Sequence, residues 1–358
     1  MEPNTTSAFL IVFLLAFSLS FVLVPLADVW GKRLNIVAKS GGRRQSEADQ
    51  RRVSKLGGMA IFFGFTVAAL VAQLLPVPRF DQYEIIRLAG LLLGGTLIFV
   101  VGVLDDKFEL NAVQLGIAQI MAAAIAITFQ IFIEYFNNPV TGSQTDPWPF
   151  YVTVTFSMFW LGLMMNTVNF MDGLDGLAGG VAFIAGTLLF IHSAFVLHQT
   201  SVSLLPLALM GSSLAFVLYN FYPARIIMGG GAYFLGFTLG ALSIIGGAKM
   251  ATILLVMGLP LMDLAWQAAN RIWQGRNPMQ GDRGHVHFRL LDMGFTQRQI
   301  VLLYYFFCAC FGGLALITTS QLFKFIAFGM MVALLVLGFM LLTWIQRRHT
   351  QAESSVSS

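Results

Sequence analysis

Apolar stretches of about 20 residues, the length that crosses the hydrocarbon core of a bilayer, begin near residues 8, 56, 86, 113, 150, 176, 202, 232, 250, 300 and 322. Short polar stretches separate them. The alternation predicts an all-α integral membrane protein: a polytopic bundle of 10-11 transmembrane helices forming one domain over residues 1-348. Residues 349-358 are polar and serine-rich, and are expected to form a disordered cytoplasmic tail.

Positive charge assigns each loop to a side. Met1-Glu2-Pro3-Asn4 precedes the first span and lacks the basic start of a cleavable signal peptide. Lys32, Arg33, Lys39, Arg43, Arg44, Arg51, Arg52 and Lys55 follow that span, which puts this loop in the cytoplasm and the N-terminus outside. Each later crossing then fixes the next loop. Seventeen of the 21 lysines and arginines fall inside, and only Arg79, Arg87, Lys249 and Lys324 fall outside. The C-terminus is therefore expected in the cytoplasm and the chain in the cell (inner) membrane.

Composition excludes a soluble domain. Hydrophobic residues make up 57% and charged residues 11%, with a mean hydropathy of +0.77, whereas soluble domains are roughly a quarter charged. Tryptophan and phenylalanine show no base-stacking pattern outside the spans, so no nucleic acid is expected as a partner. Cys308 and Cys310 stand two apart in an apolar run, where a helix points them in different directions; packing explains them better than a metal or redox pair.

The residues able to do chemistry gather in the inward loops. A transporter would instead place ionisable residues near the bilayer midplane, and the nearest candidate, Glu134, sits at a helix end. An enzyme acting at the inner surface on something held by the membrane fits better. Asp105-Asp106 closes the apolar run Leu97 to Leu104; taken alone, a solvated helix end would look the same. More specific is Asn166-x-x-Asn169-x-x-Asp172-x-x-Asp175, because side chains three apart share a helical face. Gly173 and Gly176 within it admit a close approach of phosphate to backbone. Asn and Asp oxygens suit a hard cation such as Mg2+. The third segment, Gly281-Asp282-Arg283-Gly284-His285-Val286-His287-Phe288-Arg289, offers two imidazoles and two guanidinium groups. It lacks the further cysteine or histidine that a tetrahedral zinc site needs. Phosphate binding by arginine forks fits it better.

In this order, with Leu56-Gly57-Gly58, Asn220-Phe221-Tyr222-Pro223-Ala224-Arg225 and Pro260-Leu261-Met262-Asp263 between them, these segments resemble the polyprenyl-phosphate N-acetylhexosamine-1-phosphate transferase family (glycosyltransferase family 4). The likeness covers nearly the whole chain. It implies transfer of a sugar 1-phosphate from a UDP-sugar to undecaprenyl phosphate with release of UMP, starting a cell-envelope polysaccharide. The stretch Arg289 to Gln299 resembles the branch that uses UDP-GlcNAc. By the same resemblance, Asp105 and Asp106 act near the lipid phosphate, Asn166 ligates Mg2+ (or Mn2+), and Asp172 and Asp175 organise the site. Asn169, His285, His287 and Arg289 bind substrate, Asn220 lies near the nucleotide, and the chain forms a homodimer.

Of several departures from the family pattern, among them Leu115 where many relatives have lysine and Phe288 where a third histidine is frequent, one is serious. Relatives read Met-Gly-Asp, with the aspartate a principal Mg2+ ligand, whereas Met228-Gly229-Gly230-Gly231 has no aspartate and is one residue short. Asp263 or the Asp105-Asp106 pair could stand in. The departure keeps open a catalytically silent relative that binds lipid phosphate or UDP-sugar, alongside the more remote lipid transporter.

Overall fold

A computed structural model describes residues 3–38, 52–246, 250–275, 284–317 and 320–356. Among them, every one of the eleven apolar stretches is helical. In chain order the helices are α1 (Pro3–Arg33), α2 (Gly57–Ala72), α3 (Glu84–Phe108), α4 (Ala112–Thr128), α5 (Phe150–Met171), α6 (Leu177–Ile191, ending in a π-turn at His192–Val196), α7 (Thr200–Asn220) and α8 (Gly231–Ile245). They continue with α9 (Met250–Val256), α10 (Gly258–Trp273), α11 (Val286–Asp292), α12 (Gln297–Ile317) and α13 (Gln321–Val356). The extended backbone among the described residues is confined to isolated bridges.

Seven of these helices, α1, α3, α5, α6, α7, α12 and α13, are long and apolar enough to cross a membrane. The α9–α10 pair qualifies as one further span bent by 76°. Pro260 in the first turn of α10 has no amide hydrogen to continue the α9 ladder, so the stretch breaks where the chain supplies a proline. The remaining three, α2, α4 and α8, are shorter. At 16 residues and about 1.5 Å per residue, α2 reaches roughly 24 Å against a core of about 30 Å. The apolar run beginning at 232 becomes the most enclosed helix: all of α8 is buried, as a helix hydrophobic on every side must be. It packs against α2, α3 and α5.

Helix ends at one pole of the bundle build the site. Glu109, in the left-handed region at φ 53°, stops α3 just past Asp105-Asp106. A capping box then restarts the chain as α4: Asn111 Oδ1 accepts from the Gln114 amide at 2.9 Å and Gln114 Oε1 accepts from the Asn111 amide at 2.9 Å. The chain entering α2 is tied to the chain entering α8. Ile227 N donates to Ser54 O, Gly57 N to Ile227 O and Gly58 N to Met228 O, each at 3.0 Å.

At the C-terminus α13 runs on to Val356 and takes in most of the stretch expected to be a disordered tail; Gln351, Ala352 and Glu353 are all compatible with a helix. Lys39, Arg43, Arg44, Arg51, Lys249, Arg276, Gly281, Asp282 and Arg283 lie outside the described residues.

Candidate active site

The C-terminus of α3 brings its two carboxylates against the glycine-rich entry to α8. Asp106 Oδ2 accepts from the Gly230 amide at 2.6 Å, and its Oδ1 lies 3.9 Å from Lys55 Nζ. Asp105 Oδ1 accepts from the Leu110 amide at 2.9 Å; among the described residues its Oδ2 accepts no hydrogen bond. Gly229 has φ +62°, and Gly230 lies against Gly102 so closely that a Cβ there would meet the Gly102 carbonyl oxygen at 2.0 Å. Only glycine fits this crossing. The glycine loop thus presents a backbone amide to Asp106.

The last turn of α5 closes this half. Asn169 Nδ2 donates to the Tyr233 hydroxyl at 3.0 Å, and Tyr233 is within electrostatic reach of both Asp105 and Asp106. With its oxygen accepting from Asn169, the hydroxyl keeps its own proton for a further acceptor. One turn earlier, Asn166 forms a reciprocal amide pair with Gln119 of α4, at 2.7 and 3.3 Å, and also donates to Gly162 O at 2.8 Å. The expected metal ligand is therefore engaged with a neighbouring helix.

Asp263 holds the second half together from the first turns of α10. Its Oδ1 accepts from the Val286 amide at 3.0 Å and its Oδ2 lies 3.1 Å from His285 Nδ1. A carboxylate oxygen only accepts, so the Nδ1 position carries the hydrogen. His285 stacks on Phe170 of α5 at 5.2 Å and on His287 at 5.7 Å between ring centroids. His287 is 1% exposed, and a Cβ added to Gly173 would stand 2.6 Å from its Nε2, so the imidazole lies directly on the loop that begins with Asp172. Asp172 itself is buried. Gln267 Nε2 donates to Gly284 O and fixes the entry to α11. Arg289 turns to α13 and donates to Thr343 Oγ1 at 3.0 Å. Burial lowers the pKa of its guanidinium, and the Asp263 carboxylate opposes that shift.

A third group of expected site residues joins loops. Asp175 Oδ2 accepts from the Ala224 amide at 3.0 Å. Asn220 accepts from the Gly176 amide at 2.9 Å and donates to Ile226 O at 2.8 Å. Both are buried, at 1% exposure. Asn220, expected beside a nucleotide, is a clip between the chain entering α6 and the chain entering α8. Asp263, a candidate stand-in for the missing carboxylate, is committed to Val286 and His285.

The structure therefore gathers Asp105, Asp106 and Asn169 in one half and His285 and His287, with Asp172 close by, in the other, with the C-terminus of α5 between them. Two members escaped the sequence reading. Tyr233 is a single hydroxyl in an apolar run, and its only signal was its place just after three glycines. Lys55 looked like one more topology charge.

A divalent cation can be judged against these donors. Among the described residues no three of the His, Cys, Asp and Glu side chains gather into a ligand cage, so an all-protein site does not fit. A site of two carboxylates completed by phosphate oxygens and water does fit, and that is the usual habit of Mg2+. Lys55 stands 3.9 Å from Asp106, and Lys55 and Glu109 are both within electrostatic reach of Asp105.

Fold and site together define a multi-pass helical membrane protein with a cluster of polar and charged side chains at one end of its bundle. Residues 88–247 match the model of glycosyl transferase family 4. Over 319 residues the chain is 30% identical to a phospho-N-acetylmuramoyl-pentapeptide-transferase of Desulforudis audaxviator (strain MP104C), covering 81% of this chain and 92% of the relative. It is 27% identical over 305 residues to a probable undecaprenyl-phosphate N-acetylglucosaminyl 1-phosphate transferase of Bacillus subtilis (strain 168), covering 82% and 80%. A decaprenyl-phosphate N-acetylglucosaminephosphotransferase of Mycobacterium leprae (strain TN) is 28% identical over 312 residues, covering 80% and 78%. The chain belongs to glycosyl transferase family 4.

Proposed function

We propose that this protein transfers N-acetylglucosamine 1-phosphate from UDP-N-acetylglucosamine to undecaprenyl phosphate. A lipid phosphate oxygen attacks the phosphorus that carries the sugar. The bond from that phosphorus to the bridging oxygen breaks, and UMP leaves with the bridging oxygen and its electron pair. The lipid phosphate is already ionised near pH 7, so the step requires no proton abstraction. The difficulty is to bring anions together, and positioning with charge neutralisation supplies most of the acceleration in such transfers.

The observation that carries this reading is the meeting of Asp106 with Lys55 and the Gly230 amide, with Asp105 next to it and Tyr233, held by Asn169, within electrostatic reach of both carboxylates. In this proposal Asp105 and Asp106 hold Mg2+, which supplies charge neutralisation on the diphosphate. Lys55 lies beside the lipid phosphate, and the Tyr233 hydroxyl donates to a phosphate oxygen. His285 and His287, oriented from Asp263, line the nucleotide-sugar side. Support for a cytoplasmic site in the inner membrane comes from the basic residues, seventeen of 21 of which thread to the same side as these loops.

Purified protein incubated with UDP-N-acetylglucosamine, undecaprenyl phosphate and Mg2+ should release UMP and form a lipid-linked sugar, and a chelator should stop both. A folded preparation that binds UDP-N-acetylglucosamine without turnover would replace this reading with the silent relative, which the carboxylate-free Gly229–Gly231 loop favours.

A further inference from the structure

The opposite pole of the bundle carries a cavity of about 560 Å³, enclosed between the loop before α5, the π-turn after α6, α9 and the start of α13. Trp148, Phe156, Phe325 and Phe328 give it aromatic walls, while His192, Thr252 and Lys324 contribute polar groups. It lies at the far end of α5 from Asn169 and takes no part in the site described above. Phe325 is 61% exposed, so the wall formed by α13 lies at the surface of the helix bundle.

Lys324 is out of place there. It is 8% exposed, and a buried ammonium is costly unless an anion accompanies it. It also stands in the first turn of α13, where the helix dipole disfavours a cation and favours an anion. Arg79 and Arg87, described basic residues of this pole, are neutralised: Arg79 pairs with Glu84, and Arg87 with Asp81 at 2.6 Å. Lys324 has no ion pair among the described residues. His192, 6% exposed, has Nδ1 3.2 Å from Thr252 Oγ1, which adds a second polar group to the same wall. An aromatic cavity with a buried cation that has no ion pair among the described residues matches an amphiphile that has a hydrocarbon chain and an anionic head.

We propose that this cavity binds an anionic phospholipid from the surrounding bilayer, with an acyl chain against Trp148, Phe156 and Phe328 and its phosphate beside Lys324. The proposal is independent of the transfer chemistry at the other pole.

The test uses the full chain in a neutral detergent. Native mass spectrometry and thermal unfolding would compare phosphatidylglycerol with phosphatidylcholine of identical chains. The expected result is one retained phosphatidylglycerol, a rise in unfolding temperature with that lipid, and a preference over phosphatidylcholine that falls about tenfold in Lys324→Met and persists in Lys324→Arg. Lys324→Met removes a buried charge and should fold at least as well as the parent. Equal retention of the two lipids, or a preference unchanged in Lys324→Met, would overturn the proposal. Displacement of phosphatidylglycerol by inorganic phosphate would show that the chain is not recognised, and preferential displacement by undecaprenyl phosphate would assign the cavity to the isoprenoid instead; either outcome also overturns it.

Discussion

The two halves of the site use the same residue types for different work. In the imidazole half, Asp263 is 4% exposed and both its oxygens face fixed partners, Val286 and His285. In the carboxylate half, Asp105 retains an oxygen with no hydrogen bond among the described residues, and a lysine stands 3.9 Å from Asp106. A fully satisfied buried carboxylate orients its neighbours, whereas a partly satisfied one at a helix end can meet a cation or a phosphate. Under the proposed function, the difference gives charge neutralisation to one half and positioning to the other.

The sharpest way to break this comparison is to neutralise each carboxylate in turn. Asp105→Asn should lower kcat by about 10²- to 10³-fold, the usual cost of one lost electrostatic contact to a reacting phosphate or acyl oxygen, with little change in unfolding temperature. Asp263→Ala should do the reverse. It leaves a buried amide and an imidazole without their acceptor, so the loss should appear as about 3 kcal/mol of stability, read by thermal unfolding, with a raised KM for the sugar nucleotide. Equal effects of both variants on kcat would erase the distinction.

Smaller changes sharpen it. Gly230→Ala places a Cβ against the Gly102 carbonyl and should cost about 1–3 kcal/mol by overpacking. Gly230→Asp should behave alike in thermal unfolding and should not raise turnover, because the crossing of α3 and α8 has no room for the side chain. Tyr233→Phe removes only a hydroxyl and should reduce kcat by about tenfold, the worth of one hydrogen bond to a charged group, measured under saturating substrate.

Much of the fold was legible because a bilayer demands long apolar stretches, and these favour helices. All eleven apolar stretches became helices, and the structure brings Asp105 and Asp106 near Tyr233, which Asn169 holds. What escaped depended on partners that spacing cannot name. Asp175 and Asn220 lie in the same polar segments as the rest, yet each closes on a backbone group 49 and 44 residues away, respectively. Asn166 shares the helical face of Asn169 but meets Gln119 of the next helix. The stretch from residue 250 looked like one straight span, although Pro260 already marked its bend. Tyr233 was hidden by its apolar neighbours, since a lone hydroxyl gains meaning only when α8 is packed against α3.

Mn2+ paramagnetic resonance on the purified protein, with and without UDP-N-acetylglucosamine, tests the division of labour most directly, because it reads the cation without requiring turnover. The account predicts weak Mn2+ binding alone and tight binding once the nucleotide sugar supplies phosphate oxygens, lost in Asp105→Asn and kept in Asp263→Asn. Binding that survives Asp105→Asn, or that disappears only when Asp263 is changed, would contradict it.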